Sequence, residues 1–268
     1  MTWTALDWRN VIVAIGASAV LSACATPPES HIPDFARRPY EAFSRQAAVS
    51  IAIREWRAFG QPVAETMPIA DSEDVYFPEQ VSGLWQRVGE YWWLGLNGDQ
   101  RSRSRTGKHD EQGQVFQPAN DAPYAWSAVF ISYVMRMAGA GRDFPYSAAH
   151  IDYINAARRA SLGQAPPRRL WAERITDYAP QLGDLICMGR GPDRGVTFDM
   201  LPLRRAASHC DMVINVETGK LSAIGGNVDD AVALKVVPLT IEGKLGDAGG
   251  PLDDRYPWFV VLRVLYER

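Results

Sequence analysis

Hydrophobic positions along this chain change their period once, near Pro180. Upstream of that point they recur at helical spacing. Phe43, Ala47, Ile51, Ile53 and Trp56 predict an amphipathic helix over 40–59, closed by Gly60. Val81, Leu84, Trp85, Val88, Tyr91 and Trp92 predict a second over 78–96. A third is expected over 121–139, with Pro123 near its start. There Trp126, Phe130 and Val134 share one face while Ile131 and Met135 lie on another, the pattern of a helix buried in the middle of a domain. A fourth follows over 147–162. Downstream of Pro180 the pattern alternates instead. Strands are expected at 184–188, 209–216, 221–225, 232–237 and 258–265, separated by Gly, Asp and Pro. Helices first and then strands joined by short turns predict an α+β fold, with the helices packed on a C-terminal antiparallel sheet.

The first residues do not belong to that scheme. Arg9 precedes an eleven-residue apolar run from Val11 to Leu21, followed by the small residues Ser22 and Ala23 and then Cys24. A run of that length is too short to cross about 30 Å of hydrocarbon, and it fits the apolar region of a secretory signal. Leu21-Ser22-Ala23-Cys24 also resembles a bacterial lipobox. That resemblance implies a signal peptide over 1–23, an acylated Cys24 at the mature N-terminus, and a membrane partner reached through its lipid. Ala25, where an Asp would favour inner-membrane retention, implies an outer-membrane lipoprotein facing the periplasm. Four prolines and few hydrophobics make 24–39 a tether, leaving 40–268 as a single domain with its helical extension.

Composition narrows the function classes. The chain has 268 residues, 47% of them hydrophobic, and a net charge of −3. The near-neutral balance argues against a nucleic-acid partner. Four histidines (His31, His109, His150, His209) lie far apart, with neither a His-Glu-x-x-His nor a Cys-x-x-Cys motif, so neither a metal nor a cofactor is expected. Arg101-Ser102-Arg103-Ser104-Arg105 reads as a solvated loop rather than a contact for an anionic polymer. Trp85, Tyr91, Trp92 and Trp93 suit either the core or stacking on sugar rings, and adjacent Trp92 and Trp93 cannot share one helix face.

Chemistry concentrates in four short pieces. They are Tyr124-Ala125-Trp126-Ser127-Ala128-Val129-Phe130, Gly183-Asp184-Leu185, Ser208-His209-Cys210-Asp211-Met212-Val213 and Gly225-Gly226-Asn227. In this order they resemble the NlpC-type and CHAP-type papain-like superfamily of cell-wall hydrolases, and within it an uncharacterised bacterial lipoprotein branch. The resemblance runs from about Trp85 to Asn227. It implies a papain-like fold, amide or ester hydrolysis on peptidoglycan peptides, and a catalytic set of Ser127, His209 and Asn227. Ser127 stands where the superfamily has its nucleophilic cysteine. A serine can carry acyl transfer if a histidine takes its proton during attack, but its hydroxyl is far less acidic than a thiol. Alternatively Ser127 caps a helix start. The substitution therefore also supports a silent cell-wall or partner-binding module, and a third reading keeps the fold but makes it a lipid acyltransferase or esterase.

The hairpin arithmetic bears on the same residues without the resemblance. A three-residue loop at Glu217-Thr218-Gly219, with Gly219 left-handed, pairs Val216 with Lys220 and sets His209 opposite Asn227 on one face. A two-residue loop would place Asn227 on the other face. Asp211 shares the face of His209 and is the alternative orienting group. His150 is a second candidate base or a structural histidine, and Trp126, His150 and Asp211 are expected to line the substrate site. Cys210 points away from His209 and, with Cys187, reads as a buried hydrophobe able to form a disulfide if the two are in register.

Overall fold

A computed structural model describes residues 42–64, 78–96 and 125–266, all within the compact unit Glu41–Arg268. Four α-helices lead the described chain. They are α1 (Arg45–Ala58), α2 (Leu84–Gly95), α3 (Ser127–Met137) and α4 (His150–Ser161). Each is shorter at its N-terminus than the periodicity predicts, and local chemistry gives the reason. Ser44 Oγ accepts from Ala47 N at 3.1 Å and so starts α1 at Arg45. Ahead of α2, Pro78–Gln80 forms a separate 3₁₀ turn. At α3, Trp126 is the non-helical residue that precedes the first turn. Ser147 Oγ accepts from Ala149 N at 3.0 Å just before α4.

Among the described residues the main sheet has six strands, all neighbours antiparallel, which run from edge to edge as Leu170–Glu173, Trp258–Val264, Leu185–Gly189, Ser208–Glu217, Lys220–Val228 and Ala231–Pro238. These are β1 (Leu170–Glu173), β2 (Leu185–Gly189), β3 (Ser208–Glu217), β4 (Lys220–Val228), β5 (Ala231–Pro238) and β8 (Trp258–Val264). The short pair β6 (Gly246–Asp247) and β7 (Gly250–Pro251) forms a separate ribbon. The α+β architecture with an antiparallel sheet therefore stands. Edge strand β1, four residues of alternating burial, was absent from the expected set because it is too brief to show a period.

Alternation along the strands divides the sheet into two faces. Leu185, Cys187, Cys210, Met212, Ile224 and Leu262 join the helices in the main core. Ile186, Met188, Val213, Ala223, Val237 and Val261 form a second cluster on the opposite face. Phe130 and Val134 of α3 are fully buried, as are Ile131 and Met135, so that helix is enclosed as its all-round apolar pattern predicts.

The β3–β4 turn departs from expectation and then recovers. Glu217 pairs with Lys220 across the two-residue loop Thr218-Gly219, where Gly219 takes φ 77°. A bulge between Val213 and Asn215 inserts one residue, after which Met212 pairs with Ile224 in the register of the three-residue loop. Beyond Gly225 strand β4 curls away, and Asn227 adopts φ 55°.

Candidate functional site

The first turn of α3 and the start of α4 are tied together by one buried tyrosine. Tyr153 Oη lies 2.8 Å from Ser132 Oγ, donates to Ser147 O at 2.5 Å, and also reaches the carbonyl of Ala128. This clamp sets His150 over Ser127. His150 Nε2 is 2.9 Å from Ser127 Oγ, and the two residues are 3% and 5% exposed. The hydroxyl is thus committed to an imidazole, and the helix-capping alternative does not describe it.

His209, expected to be the partner of Ser127, is bonded elsewhere. Its Nε2 lies 2.6 Å from Asp211 Oδ1, and Lys235 Nζ donates to Asp211 Oδ2 at 2.7 Å. All three side chains are buried. A neutral His209 must donate from Nε2 to that carboxylate, so its lone pair sits on Nδ1. The His209 ring stands 5.3 Å from the His150 ring, centroid to centroid. Among the described residues, His150 Nδ1 and His209 Nδ1 are buried polar atoms without a hydrogen-bond partner.

Electrostatics keep both imidazoles neutral. Burial pushes His150 well below its ordinary value, and the neighbouring His209 adds to the effect. Burial also lowers His209, against the opposing pull of Asp211. For Asp211 burial alone would raise the carboxyl, but Lys235 and His209 outweigh it and hold the group well below the carboxylate range.

Asn227 does not orient an imidazole. With its amide oxygen turned toward α3 it accepts from Trp126 N at 3.3 Å, and its amide nitrogen donates to Asp230 Oδ1 at 3.3 Å. The curl of β4 takes it there, and Asp211 occupies the position at His209 Nε2 instead. Trp126 is itself buried, its indole donating to Glu79 and its ring 5.7 Å from that of Tyr91. It shapes the start of α3 from inside the core rather than lining a surface.

A cleft of about 240 Å³ opens over His209 and Asn227, with Arg190, Arg194, Lys235 and Arg255 in its walls. Tyr91 and Trp92 are core residues, while Trp93 is 51% exposed and lines a separate groove with Trp85 and Met137. Cys187 and Cys210 are in register on β2 and β3 and form a disulfide within the helix-facing core. Sequence reasoning missed Lys235, because an isolated lysine in an alternating strand carries no signal of being buried.

Residues 79–264 match the family described as an uncharacterized protein conserved in bacteria, DUF2272. The chain belongs to the DUF2272 family. The match takes in Ser127, His150, His209, Asp211 and Lys235, so the buried cluster lies wholly inside the family domain. No curated protein and no solved structure matches the chain. Among the described residues no group of three or more His, Cys, Asp or Glu side chains is arranged to hold a metal ion, and no helix is long and apolar enough to cross a membrane. Cys24, His31, the Arg101–Arg105 run and His109 lie outside the described residues.

Proposed function

We propose that this DUF2272 protein is an acyl-transfer hydrolase of the cell envelope, cleaving amide or ester bonds in peptidoglycan peptides. The observation that carries the reading is the 2.9 Å contact between Ser127 Oγ and His150 Nε2. A neutral imidazole at hydrogen-bond distance can take the hydroxyl proton as Oγ attacks a carbonyl carbon. The acyl–serine bond forms, the carbonyl oxygen gains negative charge, and His150 then returns the proton to the departing amine or alcohol. Water, deprotonated by the same imidazole, hydrolyses the ester. The backbone N–H of Ser127, in the first turn of α3 where no intrahelical partner exists, is the natural donor to the oxyanion.

Asp211 supports this pair from behind, whereas His209 and Lys235 oppose a positive charge on His150. The Asp211 carboxylate stabilises positive charge on His150 as the proton arrives. A second reading gives the base role to His209, as the papain-like resemblance implies. Its support is the buried, partnerless Nδ1, oriented by the bond from Nε2 to Asp211. Ser127 Oγ would then have to exchange His150 Nε2 for His209 Nδ1.

The envelope address rests on the lipobox resemblance at Cys24, and the Cys187–Cys210 disulfide accords with an oxidising compartment. Lipid anchoring of Cys24 at the outer membrane and the papain-like fold belong to the same proposal.

The test is fluorophosphonate labelling and muropeptide digestion by the full chain in detergent. Wild type is expected to label and digest, and Ser127→Ala to do neither. His150→Asn should lose about 100-fold or more in rate while His209→Asn loses less. The reverse order would move the base to His209. Intact muropeptides and no labelling in wild type, with retained binding, would leave a silent binding module.

A further inference from the structure

The walls of the cleft over His209 are more basic than its chemistry requires. Lys235 is committed to Asp211, and Arg255 is paired with Asp253 through contacts of 2.9 and 3.0 Å. Arg190 and Arg194 make no ion pair among the described residues, although both are exposed and both line the cleft. Arg194 is held in place all the same, since its Nη2 donates to the carbonyls of Asp254 at 3.4 Å and Arg255 at 3.1 Å. Among the described residues the single carboxylate in the lining is Asp229. Two guanidinium groups without carboxylate partners, Arg194 held and Arg190 exposed, line one cleft beside a buried histidine, and guanidinium is suited to a planar oxyanion.

We propose that this cleft is an oxyanion subsite, in which Arg190 and Arg194 hold a carboxylate of the peptide whose acyl group Ser127 attacks. The inference rests on the hydrolase reading for its orientation, because it places the carboxylate on the His209 side of the scissile bond. Asn227 links the two regions. It lines the cleft and also binds the backbone N–H of Trp126, the residue before Ser127. The charge of Arg190 also reaches both imidazoles and opposes their protonation. A bound carboxylate would neutralise that effect and strengthen the base when substrate is present.

The test compares N-acetyl-dialanine as free acid with its C-terminal amide, by calorimetric titration of the full-length Ser127→Ala chain in detergent. The free acid is expected to bind about ten-fold more tightly than the amide, the scale of one charge-assisted contact. In Arg190→Gln on the same background, that preference should fall toward unity. Arg190 is the cleaner position, because Arg194 also holds a turn. Equal binding of acid and amide, or an unchanged preference in Arg190→Gln, would overturn the subsite. Inorganic phosphate binding more tightly than the dipeptide acid would overturn its assignment to a carboxylate. Catalysis plays no part in this measurement. Failure of Ser127 to react with a fluorophosphonate would strike the hydrolase reading and leave the acid preference standing.

Discussion

Gly225 lies directly beneath the Asp211 carboxylate. A Cβ at this position would collide with Asp211 Oδ1 and stand 2.8 Å from His209 Nε2. The absence of a side chain is what lets the buried Asp–His pair fold across β4. Gly225→Ala is therefore expected to destabilise the protein by about 1–3 kcal/mol, the usual cost of overpacking, and to lower the labelling rate of Ser127. Urea unfolding and fluorophosphonate kinetics measure the two effects. A variant with wild-type values in both would show that Asp211 can move aside at no cost.

Lys235 gives the clearest test of the buried charges. Its ammonium group is 2.7 Å from Asp211 Oδ2, and both side chains are almost wholly buried. Lys235→Met removes the cation and strands the carboxylate, at a cost of about 3–5 kcal/mol. Adding Asp211→Asn to that variant removes the stranded charge and should recover most of the loss. The double-mutant cycle, read by urea midpoints, yields a coupling energy of the same size. Additive losses would mean that water reaches Asp211 and screens it.

Acid should weaken the fold before it weakens the chemistry. His150 and His209 both have folded values below the ordinary one of 6.5. The unfolded chain then binds more protons than the native one in the window just below 6.5, so stability rises with pH through that window. It is fully present above it and is lost as pH falls toward the folded values. The Asp211 carboxyl, held low, contributes a further loss only at much lower pH. Urea midpoints measured at pH 7.5 and about pH 5 should differ, and His150→Asn should shrink the difference. The acid limb of Ser127 labelling should lie below 6.5, since the base stays neutral there.

The helices and the longer strands were legible because each depends on a local period, which the four-residue β1 is too short to show. The switch near Pro180, the enclosure of α3 and the opposite facing of His209 and Cys210 all follow from side chains repeating at 3.6 or 2 residues. The site was legible in its members but not in its pairings. Ser127, His150, His209 and Asp211 were all singled out, yet the partner of Ser127 is chosen by the Tyr153–Ser132 clamp between α3 and α4. The bulge at β3 offsets the two-residue turn, and the curl after Gly225 then sends Asn227 to a helix end. Glu55 shows the same limit. A glutamate on an amphipathic helix reads as solvent-facing, yet it is fully buried, with Arg87 Nε at 2.7 Å and Tyr91 Oη at 2.8 Å.

The disulfide links the stability of the sheet to the site. Cys187 and Cys210 are separated by 23 residues, and closing a loop of that size restricts the unfolded chain by roughly 3 kcal/mol. Cys210 also lies between His209 and Asp211 on β3, so the bond anchors the strand that carries both. Cys187→Ala combined with Cys210→Ala should lower stability by about 2–4 kcal/mol in oxidising buffer. Reductant should produce a similar loss in wild type and no further loss in the double variant. Fluorophosphonate labelling should slow in both, because a looser β3 no longer holds His209 and Asp211 beside His150. Unchanged stability and labelling after complete reduction would show that register and burial alone hold these two strands.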